Sequence, residues 1–317
     1  MSGARIPIRI SAPDDPRIAE FVSLREKDIA GRGDRFIAEG KVVLNALLSL
    51  GATERFSVEK LLVLENRLEG AGEIIDRLDD DVPVYVADRA VMDAITGFAM
   101  HRGVLALGRH APPPDLAGFL EELPADALVV ACCGISNHDN MGAIFRNAGV
   151  FGADGVVIDE TCCAPLYRKA IRVSVGAALR VPFCTDGDAG DILATLHEAG
   201  FATIALSPGG TTDIADIKPA RRTALVVGAE GPGLPAQILE KARTVRIPQA
   251  PGMDSLNVAT ATGLALWQVA RAMGRLRLRD LPRRFADFLL GAAFLRDARR
   301  LLGAMLDCDV RLLCMRE

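Results

Sequence analysis

Ile247 to Arg275, IPQAPGMDSLNVATATGLALWQVARAMGR, is the segment around which the rest of the chain is expected to fold. It predicts the end of a short apolar strand at Pro248, followed by a loop that contains one proline and one glycine. Ser255-Leu256-Asn257 then opens a long helix, and Ser and Asn are side chains that cap the start of a helix. The helix is predicted from about Asn257 to Met273, and its apolar character predicts burial on several sides.

Two earlier stretches are predicted to meet this one. They are Asn137 to Gly152, NHDNMGAIFRNAGVFG, and Leu225 to Leu234, LVVGAEGPGL. Each joins an apolar strand or helix to a glycine-rich loop, and such loops let the backbone come close to a ligand. The second loop lacks the G-x-G-x-x-G order of dinucleotide-binding proteins, Pro232 interrupts it, and no closing Gly-Lys-Ser/Thr of a Walker loop follows. Both of these nucleotide-binding interpretations therefore fail.

The order of apolar and glycine-rich segments predicts an α/β protein. Leu128 to Cys133, LVVACC, is a continuous apolar run, which is typical of a parallel strand buried on both faces. Strands and helices then alternate to the last helix, which predicts an open, mostly parallel sheet covered on both sides. The first hundred residues alternate in the same way and predict a smaller α/β domain.

The 317 residues are expected to divide into four segments. Residues 1–110 form the smaller domain, and residues 111–124 form a linker, because the run RHAPPPD that leads into it (Arg109 to Asp115) favours an extended spacer. Residues 125–275 form the larger domain. Residues 276–317 are an extension of unknown role, rich in arginine.

Composition restricts how the chain could bind nucleic acid. The formal net charge is −4, so the protein as a whole does not attract RNA. Basic residues cluster in residues 25–41 and 271–284, and each cluster could equally be a solvated surface. Aromatic residues make up 5% of the chain, which argues against a base-stacking sheet.

Cysteine usage and hydropathy predict a cytoplasmic protein that binds no metal and no membrane. Cys132-Cys133 and Cys162-Cys163 are adjacent pairs, which seldom form a disulfide or a zinc site, and the chain has only four histidines. The cysteines are therefore expected to be reduced core residues. Residues 1–16 have no apolar core of a signal peptide, and no apolar run is long enough for a membrane span.

The three motif stretches resemble those of the SpoU (TrmH-like) family of RNA ribose 2′-O-methyltransferases, which belongs to the knotted SPOUT superfamily. Asn140, Gly142, Arg146 and Gly152 match the first motif, Gly228 to Leu234 match the second, and Ile247-Pro248 with Ser255 to Val258 match the third. DRFIAEGKVVLNALL and HRGVLAL in the first half resemble the substrate-binding domain of many family members, which has a ribosomal-protein-like α/β fold.

The resemblance implies a fold and an activity. It implies a C-terminal SPOUT α/β domain with a trefoil knot, and a homodimer whose RNA site takes residues from both subunits. It implies transfer of a methyl group from S-adenosylmethionine to a ribose 2′-hydroxyl in structured RNA. The additional N-terminal domain favours ribosomal RNA over transfer RNA.

The resemblance also implies roles for individual residues. The expected catalytic residues are Arg146, Asn140, Glu230, Ser255 and Asn257. The expected cofactor-binding residues are Gly228, Gly231, Gly233, Ile247, Leu256 and Leu206. The expected RNA-binding residues are Arg32, Arg35, Arg172 and Ser174.

Two questions stay open at this level. Arg146 is implied in deprotonating the hydroxyl, but a guanidinium is effectively always protonated, so a clamp on an RNA phosphate is the milder role. The chain also departs from the family pattern at Asn147, where Thr or Ser is usual, and at Ala259, where Ser is usual. A non-catalytic RNA-binding protein that keeps the fold is therefore the alternative, and a nicotinamide-dependent oxidoreductase is a third interpretation.

Overall fold

The computed structural model describes residues 6–22, 34–49, 54–96, 102–252 and 255–276. Residues 1–275 form one compact unit. Residues 276–317, apart from Leu276, lie outside the described residues. The first unit contains two β-sheets, one built from each half of its chain. None of the described helices is both long enough and apolar enough to cross a membrane.

The first sheet has five strands in the order β1-β4-β3-β5-β2. Strand β5 is antiparallel to both β2 and β3, and the other pairings are parallel. Apolar side chains of the strands and of the third helix form its core, including Leu62, Met92 and Leu105. In chain order the elements are β1 (Ile8–Ile10), β2 (Arg35–Glu39), α1 (Lys41–Leu47), β3 (Phe56–Leu64), α2 (Gly72–Ile75), β4 (Val84–Ala87), α3 (Arg89–Thr96) and β5 (Val104–His110).

The second sheet has seven strands in the order β10-β12-β9-β11-β6-β7-β8, and every pairing between them is parallel. Its elements are α4 (Leu116–Glu121), β6 (Leu128–Cys133), α5 (His138–Val150), β7 (Gly155–Ile158), α6 (Arg168–Val173), β8 (Phe183–Thr185), α7 (Ala189–Glu198), β9 (Ala202–Leu206), β10 (Thr212–Asp213), β11 (Thr223–Gly228), α8 (Ala236–Lys241), β12 (Arg243–Arg246) and α9 (Val258–Ala272).

The central strands β6 and β11 are buried along their whole length. This confirms the prediction from the LVVACC run, because a parallel strand covered on both faces needs apolar side chains pointing both ways. The chain runs outward from β6 through β7 to β8 and then returns on the other side of β11. The strand order therefore reverses between β6 and β11, and α/β sheets bind ligands at the carboxyl ends of strands near such a reversal.

The stretch expected to be a linker is shorter than predicted. Helix α4 lies within residues 111–124, and its Leu116, Phe119 and Leu120 are buried in the core of the seven-stranded sheet. The helix begins where it does because the carboxylate of Asp115 accepts a hydrogen bond from the backbone N–H of Gly118 at 2.8 Å. The extended part is therefore residues 111–115. The sequence also gave no signal for β10 or α8, and the trefoil knot stays a prediction.

Candidate functional site

A cleft of about 520 Å³ lies at the carboxyl ends of β9 and β11. All six residues predicted to bind the cofactor line it, and so do three of the predicted catalytic residues. Ser207, Pro208 and Gln249 also line it and were missed, although each lies within two residues of Leu206 or Pro248, which had been singled out. The predicted residues in the cleft are Leu206, Gly228, Glu230, Gly231, Gly233, Ile247, Ser255, Leu256 and Asn257.

The loop after β11 requires glycine at defined positions. A Cβ on Gly228 would lie 2.5 Å from the carbonyl carbon of Gly233 and 2.6 Å from the backbone nitrogen of Leu234. Gly231 and Gly233 have φ angles of 88° and 72°, which L-residues with side chains rarely adopt. The N–H of Gly233 donates to the carbonyl of Ala229 at 3.1 Å and closes the loop. The glycines therefore fold the loop onto itself and bring bare backbone to the cleft wall.

Asn257 joins the three motif stretches through one amide side chain. Its Oδ1 accepts hydrogen bonds from the N–H groups of Ala259 (3.0 Å) and Thr260 (3.2 Å), which caps α9. Its Nδ2 donates to Oδ1 of Asn140 at 2.9 Å and to Oε1 of Glu230 at 2.7 Å. Asn140 is only 6% exposed, so its amide needs such a partner. The cap of α9 thereby fixes one residue of the first motif and one of the second.

Helix α5 carries the first motif and crosses α6 closely at Gly142. A Cβ there would lie 2.6 Å from the carbonyl oxygen of Ala170 and 2.8 Å from Cβ of Val173. Arg146 lies one turn further along α5 and is exposed. In the described part of the chain it makes no hydrogen bond or ion pair, and it does not line the cleft. The guanidinium is therefore available to a group that comes from outside.

The two departures from the family pattern are in contact with each other. Asn147 Nδ2 donates to the carbonyl of Ala259 at 2.8 Å. The same amide packs against Gly263, where an added Cβ would lie 2.9 Å from Nδ2. Ala259 is buried, so its methyl group faces protein. The amide at position 147 thus ties α5 to the first turn of α9, a relation that the sequence could not reveal because 112 positions separate the two residues.

The residues predicted to bind RNA differ in their exposure and in their partners. Arg172 is exposed at the end of α6, and among the described residues it has no ion pair. Arg35 is paired with Glu59 at 2.9 Å, which offsets part of its charge. Ser174 is 1% exposed, and its hydroxyl donates to the carbonyl of Ile171 and accepts from the N–H of Ala178. That interior position corrects the prediction for Ser174. Arg32 lies outside the described residues.

A buried carboxylate that the sequence analysis did not single out holds the loop between β6 and α5. Asp159 Oδ2 accepts from the N–H of Gly134 at 3.0 Å, and Oδ1 accepts from both the N–H and the hydroxyl of Thr161. The Asp-x-Thr spacing directly after an apolar strand was the available signal. Burial, and secondarily the charge of Asp159, raises the pKa of Cys133 to about 12, so this thiol stays protonated at neutral pH. In the described ranges no group of three or more His, Cys, Asp or Glu residues could hold a metal ion.

Comparisons with known proteins identify the family of this chain. The SpoU rRNA Methylase family profile matches residues 127–267. Uncharacterized tRNA/rRNA methyltransferases from Mycobacterium tuberculosis and Mycobacterium bovis are 40% identical to this chain over an alignment of 272 residues that covers 82% of this chain and 90% of theirs. The chain belongs to the SpoU rRNA methylase family. The family predicted from the three motifs is therefore confirmed.

Solved structures of this family share the fold. An RNA 2′-O ribose methyltransferase matches with a TM-score of 0.67 and 26% identity, over 84% of this chain and 99% of that one. An AdoMet-bound rRNA methyltransferase from Sinorhizobium meliloti matches with a TM-score of 0.70 and 24% identity, over 83% of this chain and 97% of that one. These matches confirm the predicted SPOUT α/β fold class.

Proposed function

We propose that this SpoU family protein transfers a methyl group from S-adenosylmethionine to a ribose 2′-hydroxyl in structured RNA, with ribosomal RNA as the favoured class. The observation that carries the proposal is the Asn257 amide. It bonds Asn140 and Glu230 at the mouth of the cleft, next to a helix that presents Arg146 to solvent. The match to an RNA 2′-O ribose methyltransferase supports the position of attack.

The cleft fits S-adenosylmethionine in size and in chemistry. Small-molecule sites commonly measure about 300–1,000 Å³ and combine apolar walls with a few polar groups, and this one measures about 520 Å³. Leu206, Ile247 and Leu256 supply apolar walls for an adenine ring. Gly228 lets the glycine-rich loop fold back against the backbone of residues 233 and 234, and the loop would present its peptide N–H and C=O groups to the ligand.

The residues of this chain would act around the methyl acceptor. When bound, S-adenosylmethionine supplies a methyl group on a positively charged sulfur; the 2′-oxygen bonds to that carbon, the carbon–sulfur bond breaks, and the hydroxyl proton leaves. Arg146 would clamp the neighbouring RNA phosphate bidentately, because a guanidinium does not accept a proton. The proton would then pass to a phosphate oxygen or to water. Asn257, Asn140 and Glu230 would orient the ribose.

A homodimer is part of the proposal, and exposed apolar side chains support it. On α9, Leu264 is 47% exposed and Trp267 is 44% exposed, one turn apart. On α5, which packs beside α9, Val150 is 65% exposed and lies one turn from Arg146. Apolar side chains on two adjoining helices are typical of a surface that pairs with another copy. Such pairing would place a second subunit next to Arg146.

The structure weakens the main argument for the alternative, a non-catalytic RNA-binding protein. It rested on the missing hydroxyl at position 259. Ala259 is buried, and its carbonyl already accepts a hydrogen bond from Asn147. The replacement therefore leaves no polar group without a partner at that position, and methyl transfer is the function that the site supports best.

The test is methyl transfer from labelled S-adenosylmethionine to total RNA of cells that lack this protein. The wild type should label one RNA fraction, with one linkage becoming resistant to alkali. Arg146→Ala should lower the rate by about 100-fold or more, as expected when one group that stabilises the transition state is lost. Cofactor affinity should stay within about twofold, because Arg146 lies outside the cleft.

Arg221→Ala is the matched control, since Arg221 is another exposed arginine but precedes β11 at the opposite end of the sheet. It should transfer methyl groups at the wild-type rate. Cofactor binding without transfer to any RNA by the wild type would refute the proposed function. Undiminished transfer by Arg146→Ala would refute only the role of that arginine.

A further inference from the structure

One arginine beside the five-stranded sheet binds the segment that leads into β8 of the seven-stranded sheet. Arg55 immediately precedes β3. Its Nη2 donates to the carbonyls of Leu179 (3.1 Å) and Arg180 (2.8 Å), and its Nη1 donates to the carbonyl of Val181 (3.3 Å). A planar guanidinium has several N–H groups in a fixed arrangement and can bind three consecutive carbonyls. The compact ammonium group of lysine cannot reproduce that arrangement of donors. Removing the guanidinium from water lowers the pKa of Arg55, which agrees with a position inside protein.

A column of aromatic rings crosses the same boundary. His110, the last residue of β5, stacks on Phe56 of β3 with ring centroids 4.9 Å apart, and on Phe183 of β8 at 5.2 Å. Phe183 then meets Phe145 of α5 edge to face at 5.7 Å. The guanidinium of Arg55 lies over Phe56, 5.1 Å from the ring centre. The column thus connects the small sheet to the helix that carries Arg146.

A third contact joins the small sheet to α6. Arg168, the first residue of α6, pairs at 3.4 Å with Glu39, the last residue of β2, and both side chains are largely buried. Three residues after the end of α6, the backbone of Gly176 packs against α1. An added Cβ on Gly176 would lie 2.7 Å from Cβ of Ala46. Since α6 also crosses α5 at Gly142, the small sheet contacts the motif helix through α6 as well as through the aromatic column.

We infer that this seam, defined as Arg55 with the carbonyls of residues 179–181, the aromatic column and the Glu39–Arg168 pair, is a positioning element for methyl transfer. It holds the small sheet and the cleft in one arrangement, so an RNA bound by both presents its target ribose at a set distance from Arg146. Arg55 is a positioning residue, because its guanidinium contacts Phe56 and the carbonyls of residues 179–181, and it does not line the cleft. The inference rests on the proposed function.

The substrate class follows from this arrangement. A folded RNA that contacts both the small sheet and the cleft would depend on the fixed arrangement of the two. A short oligonucleotide that carries only the target nucleotide would contact the cleft alone and would not depend on it. Displacing a bound reactant by about 1 Å can cost about 100-fold in rate. Loosening the seam should therefore reduce the rate on folded RNA at saturation and leave the rate on a short oligonucleotide unchanged.

The test compares Arg55→Met, Arg55→Lys and wild type in single-turnover methyl transfer, with saturating cofactor and the RNA fraction that the wild type labels. Arg55→Met should lower the saturated rate by about tenfold to 100-fold, with the Kd values for RNA and cofactor within about twofold of wild type. Arg55→Lys should recover part of the rate. The same variants should all react at one slow rate with an oligonucleotide that contains the target site.

Arg77→Met is the matched control. Arg77 also donates to a backbone carbonyl, that of Leu48, and to the side chain of Asn45, but both partners lie within the small-sheet half of the chain. It should keep the wild-type saturated rate. If Arg55→Met does not fold, Arg55→Lys and Glu39→Gln carry the test, and both should lower the same rate.

Two results would overturn the inference while the proposed function stands. One is a wild-type saturated rate in every seam variant. The other is a loss confined to the Kd for RNA, which would make Arg55 an RNA contact. If the wild type itself transfers no methyl group to any RNA, the proposed function fails and the inference fails with it.

Discussion

The cleft and the Arg146 face differ in how their polar groups are satisfied. At the cleft, the Asn257 amide donates to Asn140 and to Glu230, and the glycine-rich loop closes on its own backbone. On the outer face, Arg146 and Arg172 are exposed and have no ion pair among the described residues. Under the proposed function, the chain would build the cofactor side in advance and leave the RNA side to be completed by the substrate or by a second subunit. The following substitutions test that difference between the cleft and the Arg146 face.

The largest effect should come from filling the cleft wall with Gly228→Ala. The new Cβ would meet backbone atoms of Gly233 and Leu234 at 2.5 to 2.7 Å, so the loop must move. If the cofactor binds the loop in its present position, an overpacking cost of about 3 kcal/mol is subtracted from the binding free energy and raises the cofactor Kd about 100-fold. Isothermal titration calorimetry with S-adenosylmethionine measures this Kd.

Gly72→Ala is the matched control for that substitution. Gly72 has helical φ and ψ angles and no atom within 4 Å of an added Cβ, so this change should leave the cofactor Kd unaltered and add about 0.5 kcal/mol of stability. An equal cofactor Kd for Gly228→Ala and wild type would show that the cofactor does not use this wall.

A smaller effect is expected at the residue that links the two regions. Asn257→Ala removes the cap of α9, worth about 1 kcal/mol, and both amide bonds to Asn140 and Glu230. Methyl transfer should fall by about 10- to 100-fold because the ribose-orienting groups lose their alignment. Asn257→Ser should restore the cap and the melting temperature but not the rate.

Asp188→Ala separates capping from alignment. Asp188 caps α7 through the N–H groups of Gly190 and Asp191. It should lose about 1 kcal/mol of unfolding free energy with no change in rate. If Asn257→Ser regains the full rate as well as the stability, the amide bonds to Asn140 and Glu230 do not matter for transfer.

The smallest of the three effects concerns the outer face. Leu264→Lys puts a charge among the exposed apolar side chains of α9 and should weaken self-association by about tenfold or more, since burying a leucine stabilises by about 1.5–3 kcal/mol. Analytical ultracentrifugation over a dilution series measures the dimer Kd. Val42→Lys, at an apolar residue of α1 that is also exposed, should leave it unchanged. A monomeric wild type would remove the proposed dimer.

Much of the fold was predictable because its signals are local. The LVVACC run predicted β6 at its observed bounds. Boundaries were harder where tertiary contacts decide them: α4 is a helix within the expected linker because its apolar side chains pack into the second core. Strand β10 has two residues and is held by pairing with β12, so no periodicity could have indicated it.

The sequence by itself determined the family, the positions of the cleft residues and the cap at Asn257. These depend on backbone requirements that a few neighbouring residues carry, such as positive φ at Gly231 and Gly233. Only the tertiary structure decided that Asn257 reaches Asn140 across 117 positions, that Asn147 meets Ala259 across 112, and that Arg55 binds Arg180 across 125. The physical reason is that such contacts depend on how the sheets and helices pack, and no local pattern encodes them.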